Sequence, residues 1–169
     1  MYDRILLPTD GSDSSLAAAR QAFGLATVHD ATVHALYVTD TSTSLLAVSK
    51  TEVRDSLRAA GESKAAKALG EIERIAAEYD VALTTEHAEG TPDEEILAAI
   101  DDHDIDLVVM GTHGRDGVIR RVVGSVTERV VRGAPVPVMT VSANADVAAD
   151  INADVDADIN AGVDADADL

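Results

Sequence analysis

Along residues 1–142, short apolar runs take turns with longer stretches in which apolar residues recur every three or four positions. The first run, Ile5-Leu6-Leu7 within 4–9, is too short for a helix and reads as a buried strand. Leu16, Ala19, Ala22, Phe23 and Ala26 then fall on one helical face, and Asp10, Ser12 and Asp13 offer caps at its start. Residues 32–38 read as a second strand and 39–48 as a loop. Ser49-Lys50-Thr51-Glu52 fits a capping box that opens a long helix. Its apolar face would carry Leu57, Ala60, Ala65, Ala68, Leu69, Ile72, Ile75 and Ala76.

The alternation continues with a third strand at 81–87. A third helix starts at Gly90-Thr91-Pro92, with Pro at its first position, and carries Ile96, Leu97 and Ile100. A fourth strand spans 105–110 and is apolar enough to be buried on both faces. A fourth helix runs from near Ser125 to just before Gly133, and a fifth strand spans 135–141. Pro135 and Pro137 cannot donate to a ladder, so they place that strand at an edge or at a strand start. The order βαβαβαβαβ predicts an α/β fold: an open parallel sheet with helices on both faces. Ligands of such sheets bind outside the carboxyl ends of the strands, where the strand order reverses.

Composition narrows the picture. Hydrophobic residues make up 46% of the 169 and aromatics only 2%, so the core is built from Val, Ile, Leu and Ala. The absence of cysteine excludes disulfides, thiolate nucleophiles and Cys-based metal sites. Residues 1–8 hold too short an apolar run for a signal peptide, and no stretch reaches the ~20 apolar residues of a membrane span. A cytoplasmic location is expected. Thirty-one acidic residues face thirteen basic ones, for a net charge of −18, which disfavours nucleic acids and anionic membranes as partners. With only three lysines (Lys50, Lys64, Lys67), this Asp-rich balance points to a halophile's cytosol, where salt screens dense like charge.

Residues 143–169 differ in kind. They hold eight Asp, no Lys or Arg and a repeated Ile-Asn-Ala motif. Such a segment buries too little apolar surface to offset its ordering entropy, so an acidic, low-complexity, disordered tail is expected after a domain at 1–142. Asp154, Asp156 and Asp158 alternate as in an EF-hand loop, but Ile159 stands where Gly is needed and Ala165 where Glu is needed.

Two strand ends carry the candidate chemistry. Pro8-Thr9-Asp10-Gly11-Ser12 leads straight into a helix. Met110-Gly111-Thr112-His113-Gly114-Arg115 is followed, nine residues after Gly114, by Gly124-Ser125-Val126-Thr127 at the start of another. Glycines let backbone N–H groups approach an anion, and a helix N-terminus adds unsatisfied donors and partial positive charge. Ser125 and Thr127 add hydroxyls, and Arg115, Arg120 and Arg121 make the one locally basic segment. Asp10 reads as a helix cap or a metal ligand. His113 reads as a loop residue rather than a base. The remaining histidines, His29, His34, His87 and His103, show no metal-site spacing. Asp101, Asp102, Asp104 and Asp106 read as a solvated face.

Gly111-Thr112-His113-Gly114, nine residues, then Gly124-Ser125 resembles the ATP-binding signature of universal stress proteins, G-x-x-G-x9-G-[S/T]. Ile5 to Ser12, Tyr37-Val38-Thr39-Asp40 and Ala134 to Val138 resemble that family's first, second and last strand ends. The resemblance covers 1–142 and leaves out the tail. It implies a Rossmann-like fold, also described as adenine nucleotide alpha hydrolase-like, with strand order 3-2-1-4-5. It further implies that Pro8, Thr9 and Asp10 line an adenine nucleotide, with Asp10 reaching a nucleotide-bound Mg or Mn. Val38 would pack on adenine, and Met110 and Gly111 would lie under the adenosine. Gly114, Arg115, Gly124, Ser125, Val126 and Thr127 would cradle the phosphates.

The expected function is an ATP-binding stress-response regulator or switch. No Gly-x-x-x-x-Gly-Lys-Ser/Thr is present, so hydrolysis is expected to be slow at most, with no catalytic residue assigned. The alternatives are a slow ATPase, or a dimerisation module in which nucleotide is structural. The resemblance implies a homodimer through the strand at 136–141, whose edge invites pairing.

Overall fold

A computed structural model describes residues 1–41, 51–112 and 124–143. The chain order is β1 (Arg4–Pro8), α1 (Asp13–His29), β2 (Thr32–Asp40), α2 (Thr51–Ala76), β3 (Leu83–Gly90), α3 (Pro92–Asp102), β4 (Leu107–Gly111), α4 (Ser125–Gly133) and β5 (Val138–Val141). All pairings are parallel, and the five strands lie in the order β3-β2-β1-β4-β5. This is the α/β fold and the strand order expected.

The period-two pattern of each central strand divides the core in two. Ile5, Leu7, Val33, Ala35, Leu107 and Val109 point to α1 and α2, with Phe23, Ile72 and Ile75 among them. Leu6, Leu36, Val108 and Met110 point the other way, against Ile96, Ile100 and Val130 of α3 and α4. Each large side chain so buried contributes about 1.5–3 kcal/mol relative to exposure. On the sheet side α1 is almost all methyl groups: Ala17, Ala18, Ala19, Ala22 and Ala26 are buried. It ends where Asp30 enters the left-handed region at φ 58°.

Several details depart from the sequence reading. Ala60 is exposed, and the position facing the sheet is Gly61, where a Cβ would stand 2.9 Å from Thr39 Cγ2. β3 starts two residues late and runs to Gly90, half exposed along its length as an edge strand. β2 continues to Asp40, so the loop begins later than residue 39. β5 comprises only Val138–Val141. Pro137 precedes it and serves as an acceptor, taking the Val108 N–H at 3.0 Å.

The acidic run after α3 is partly engaged rather than simply solvated. Asp106 Oδ2 accepts the Asp3 N–H at 2.7 Å, and Arg4 Nη1 donates to Asp104 Oδ2 at 3.1 Å and to the His103 carbonyl at 2.9 Å. Nor are the histidines all scattered. His34 and His103 stack with ring centroids 4.0 Å apart. The capping box residues Ser49 and Lys50, the arginines Arg115, Arg120 and Arg121, and the acidic tail after residue 143 lie outside the described residues. Among those described, no helix is long and apolar enough to cross a membrane.

Candidate functional site

The turn after β1 is fixed by a chain of hydrogen bonds that starts inside the strand. The Thr9 N–H donates to the Leu36 carbonyl at 2.9 Å, holding Thr9 beside β2. Thr9 Oγ1 accepts the Gly11 N–H at 3.2 Å and donates to Ser15 Oγ at 3.2 Å. Ser15 in turn donates to the Ser12 carbonyl at 2.9 Å. Thr9 and Ser15 are buried, so this relay satisfies hydroxyls that would otherwise cost about 1–3 kcal/mol each, and the buried Ser14 hydroxyl pairs with Ser12 Oγ at 3.2 Å. Gly11 sits at φ 75°, where a side chain would be strained. Ser12 is the N-cap of α1, its side chain accepting the Ser15 N–H at 3.3 Å. Asp10 is therefore not the cap. Its Oδ1 accepts the Ser12 N–H at 3.0 Å and braces the turn from outside.

β4 ends against this turn. A Cβ on Gly111 would lie 2.7 Å from Ser14 Oγ and 3.0 Å from the Ser15 nitrogen, so the start of α1 rests on the bare backbone of Gly111. The β1–β4 ladder pairs Ile5 with Leu107 and Leu6 with Val108 and then stops. Both strands go on, to Pro8 and Gly111, without pairing each other. The crevice therefore opens at the place where the strand order reverses, as expected for an open parallel sheet.

The start of α4 closes the other side. The Thr112 N–H donates to the Val141 carbonyl at 2.8 Å, and the Thr112 carbonyl accepts the Gly124 N–H at 2.8 Å. This bond ties the start of α4 directly to the end of β4. Gly124 is the N-cap of α4 at φ −59°, an angle open to every residue, and it has no side chain with which to cap the helix. The Glu128 N–H makes the helix's first bond, to the Gly124 carbonyl, so the N–H groups of Ser125, Val126 and Thr127 have no intrahelical acceptor.

The structure brings Pro8, Thr9, Asp10, Met110, Gly111, Gly124, Ser125, Val126 and Thr127 to the carboxyl end of the two central strands, with Val38 at the same end of β2. Gly114 and Arg115, with His113, lie outside the described residues. Two roles change. Thr127 is buried, and its hydroxyl donates to the Gly111 carbonyl at 3.0 Å, so its proton ties α4 to β4 instead of facing a phosphate. Met110 buries its side chain in the core beside α3 and α4, so only its backbone borders the crevice. Ser14 and Ser15 were missed. The signal was the serine-rich Ser12-Asp13-Ser14-Ser15 at a helix start, read for its cap and not for its buried hydroxyls.

The universal stress protein family model matches residues 1–142. A universal stress protein of Methanocaldococcus jannaschii is 40% identical over 144 residues, covering 83% of this chain and 82% of that protein. The structure of UspA from Lactobacillus plantarum superposes with a TM-score of 0.72 at 33% identity, covering 83% of this chain and 97% of the other. Two solved universal stress proteins that share the fold at lower identity hold adenine nucleotides. One is in complex with cAMP (TM-score 0.58, 23% identity, 83% and 97% covered), and one from Arabidopsis thaliana has AMP bound (TM-score 0.61, 18% identity, 86% and 94% covered).

Proposed function

This chain belongs to the universal stress protein family, and from that premise we propose that it binds ATP, or another adenine nucleotide, in the crevice between β1 and β4 and acts as a nucleotide-dependent stress-response regulator. The observation that carries the reading is the early end of the β1–β4 ladder at Leu6 and Val108, with the α4 start at Gly124 tied beside the end of β4. The N–H groups of Ser125 and Val126 supply donors and the positive end of a helix dipole to the phosphates. The Ser125 hydroxyl, exposed, adds another donor. Gly114 and Arg115 complete the cradle in this proposal. Val38, half buried at the end of β2, offers an apolar surface to adenine.

The oxygens of Asp10 suit a hard divalent cation. Oδ1 braces the turn just past the end of β1, which holds the carboxylate at the carboxyl end of the sheet. Asp10 would hold a nucleotide-bound Mg or Mn, which neutralises phosphate charge. Hydrolysis is slow at most in this reading, because no P-loop lysine is present in the sequence. A turnover well above about 1 s⁻¹ would favour a dedicated ATPase instead. The protein works in the cytoplasm as a homodimer paired through residues 136–141. Its acidic surface and its tail at 143–169 keep it dispersed in concentrated salt.

Mass spectrometry of small molecules released from the purified full-length protein tests the reading. An adenine nucleotide at near one per chain supports it. A nucleotide-free protein that also fails to bind added ATP or AMP by calorimetry overturns it.

A further inference from the structure

At the opposite end of the sheet from the crevice, His34 of β2, Glu86 of β3 and His103 at the C-cap of α3 meet. His34 Nε2 and His103 Nε2 each lie 2.8 Å from the same oxygen, Glu86 Oε2. The two imidazoles reach it as a stacked pair, tilted by 29°. One ligand atom from each of the three residues can be chosen so that all lie within 4.8 Å of one another.

We propose that His34, Glu86 and His103 form a binding site for a divalent transition-metal ion of the zinc class. Two imidazole nitrogens and one carboxylate oxygen are a donor set that zinc takes readily with three protein ligands, leaving a fourth position for water. Tetrahedral bonds of 2.0–2.1 Å put ligand atoms about 3.3 Å apart. Each imidazole nitrogen already stands 2.8 Å from Glu86 Oε2, and an ion taken up among the three would replace those two hydrogen bonds.

The surroundings fit. His34 Nδ1 is 2.7 Å from Thr84 Oγ1, the kind of partner that fixes the orientation of a ligating ring. The Thr84 hydroxyl can donate to Nδ1 while Nε2–H faces Glu86, and can accept from Nδ1–H once Nε2 binds metal. His34 keeps only 13% of its side chain exposed, against 37% for His103 and 41% for Glu86, so the site is anchored on one side and open on the other. Arg4 lies close by, but its guanidinium is turned to the His103 carbonyl and Asp104, which fixes the backbone of one ligand.

An ion there would replace the two hydrogen bonds that now tie β2 and the end of α3 to Glu86 of β3 with ligand bonds, and so would stabilise the fold by linkage.

The test uses the full-length protein stripped with a chelator and titrated with Zn²⁺ by calorimetry and with Co²⁺ by visible absorption. One equivalent of Zn²⁺ is expected to bind and raise the melting temperature, with Co²⁺ giving the bands of a four- or five-coordinate ion. His103→Gln and Glu86→Gln, checked for folding by circular dichroism, should each lower Zn²⁺ affinity at least ~100-fold and abolish the thermal shift. Thr84→Val should weaken binding ~10-fold and Thr84→Ser should restore it. The proposal is overturned by a folded protein that binds no Zn²⁺. It is overturned equally by binding that both ligand variants leave intact, which would place the ion on other histidines or on the acidic tail. Adenine nucleotide affinity should be the same in all four variants.

Discussion

Gly111 carries the N-terminus of α1 on its bare backbone: a methyl group added there would stand 2.7 Å from Ser14 Oγ and 2.9 Å from the Ser14 carbonyl carbon. Two of the three atoms nearest such a methyl belong to backbone, so no side chain can rotate out of the way. Gly111→Ala should therefore cost about 1–3 kcal/mol of stability, as overpacking in a core does. It should also weaken nucleotide binding by shifting the turn that faces the crevice. Urea unfolding and calorimetry on the same preparation would check both. An unchanged midpoint would mean that the contact is looser than its distances imply.

Thr127 is expected to matter for folding more than for ligand. Its buried hydroxyl holds the Gly111 carbonyl at 3.0 Å. Thr127→Val keeps the shape and removes the bond, which should cost about 1–2 kcal/mol. For a domain of this size that lowers the melting temperature by a few degrees, roughly 2–8 °C. Scanning calorimetry reads the shift directly, and Thr127→Ser should recover most of it.

Gly124→Asp separates binding from stability. Aspartate is a preferred N-cap, and the φ of −59° at this position accepts it, so the folded state should hold its stability or gain a few tenths of a kcal/mol. A carboxylate about 4 Å from a phosphate opposes it by a few kcal/mol at a protein surface, so ATP affinity should drop ~100-fold or more. Equal affinity in the variant would remove α4 from the nucleotide site.

Salt should stabilise the chain. With a net charge of −18, self-repulsion acts across the whole surface. Raising KCl from about 0.1 M to 1 M shortens the screening length from ~10 Å to ~3 Å and should raise the melting temperature steadily. A flat profile would argue against adaptation to a saline cytosol.

The proposed dimer can be tested at the β5 edge. Val138 leans on the core beneath α3 and α4, whereas Met139 is 38% exposed. A lysine on an edge strand is a common device against pairing. Met139→Lys should leave the fold intact and halve the mass seen by light scattering. A dimer mass in the variant would locate the interface elsewhere.

The strands and the turn after β1 were legible because they rest on local patterns, whereas the strand order came only with the family resemblance. Ile5-Leu6-Leu7 and Leu107-Val108-Val109 announce buried strands, and Ser12 stands where a cap must. β3 was harder. Its sequence, Leu83 to Gly90, is half exposed at a sheet edge, and the apolar Val81 that drew the boundary early packs on the core just before the strand. Ala60 misled for a related reason, since a methyl group fits a helix's wet side as readily as its dry one. The partners of Thr127 and of the Gly124 N–H could not be read, because each bonds to a backbone group that only the folded sheet brings near. His34, Glu86 and His103 come from three elements whose convergence no spacing encodes.

The alanines of α1 carry a meaning beyond filling space. A helix seated mostly on methyl groups, with Phe23 its one large fully buried side chain, leaves little to flex, so its height above the sheet is set as by a ruler. The Thr9–Ser15 relay stands at the tip of that ruler. A bulkier residue at Ala22 or Ala26, well away from any ligand, would tilt the tip and misalign the crevice, so the tolerance of the binding machinery is written into residues that never touch what it holds.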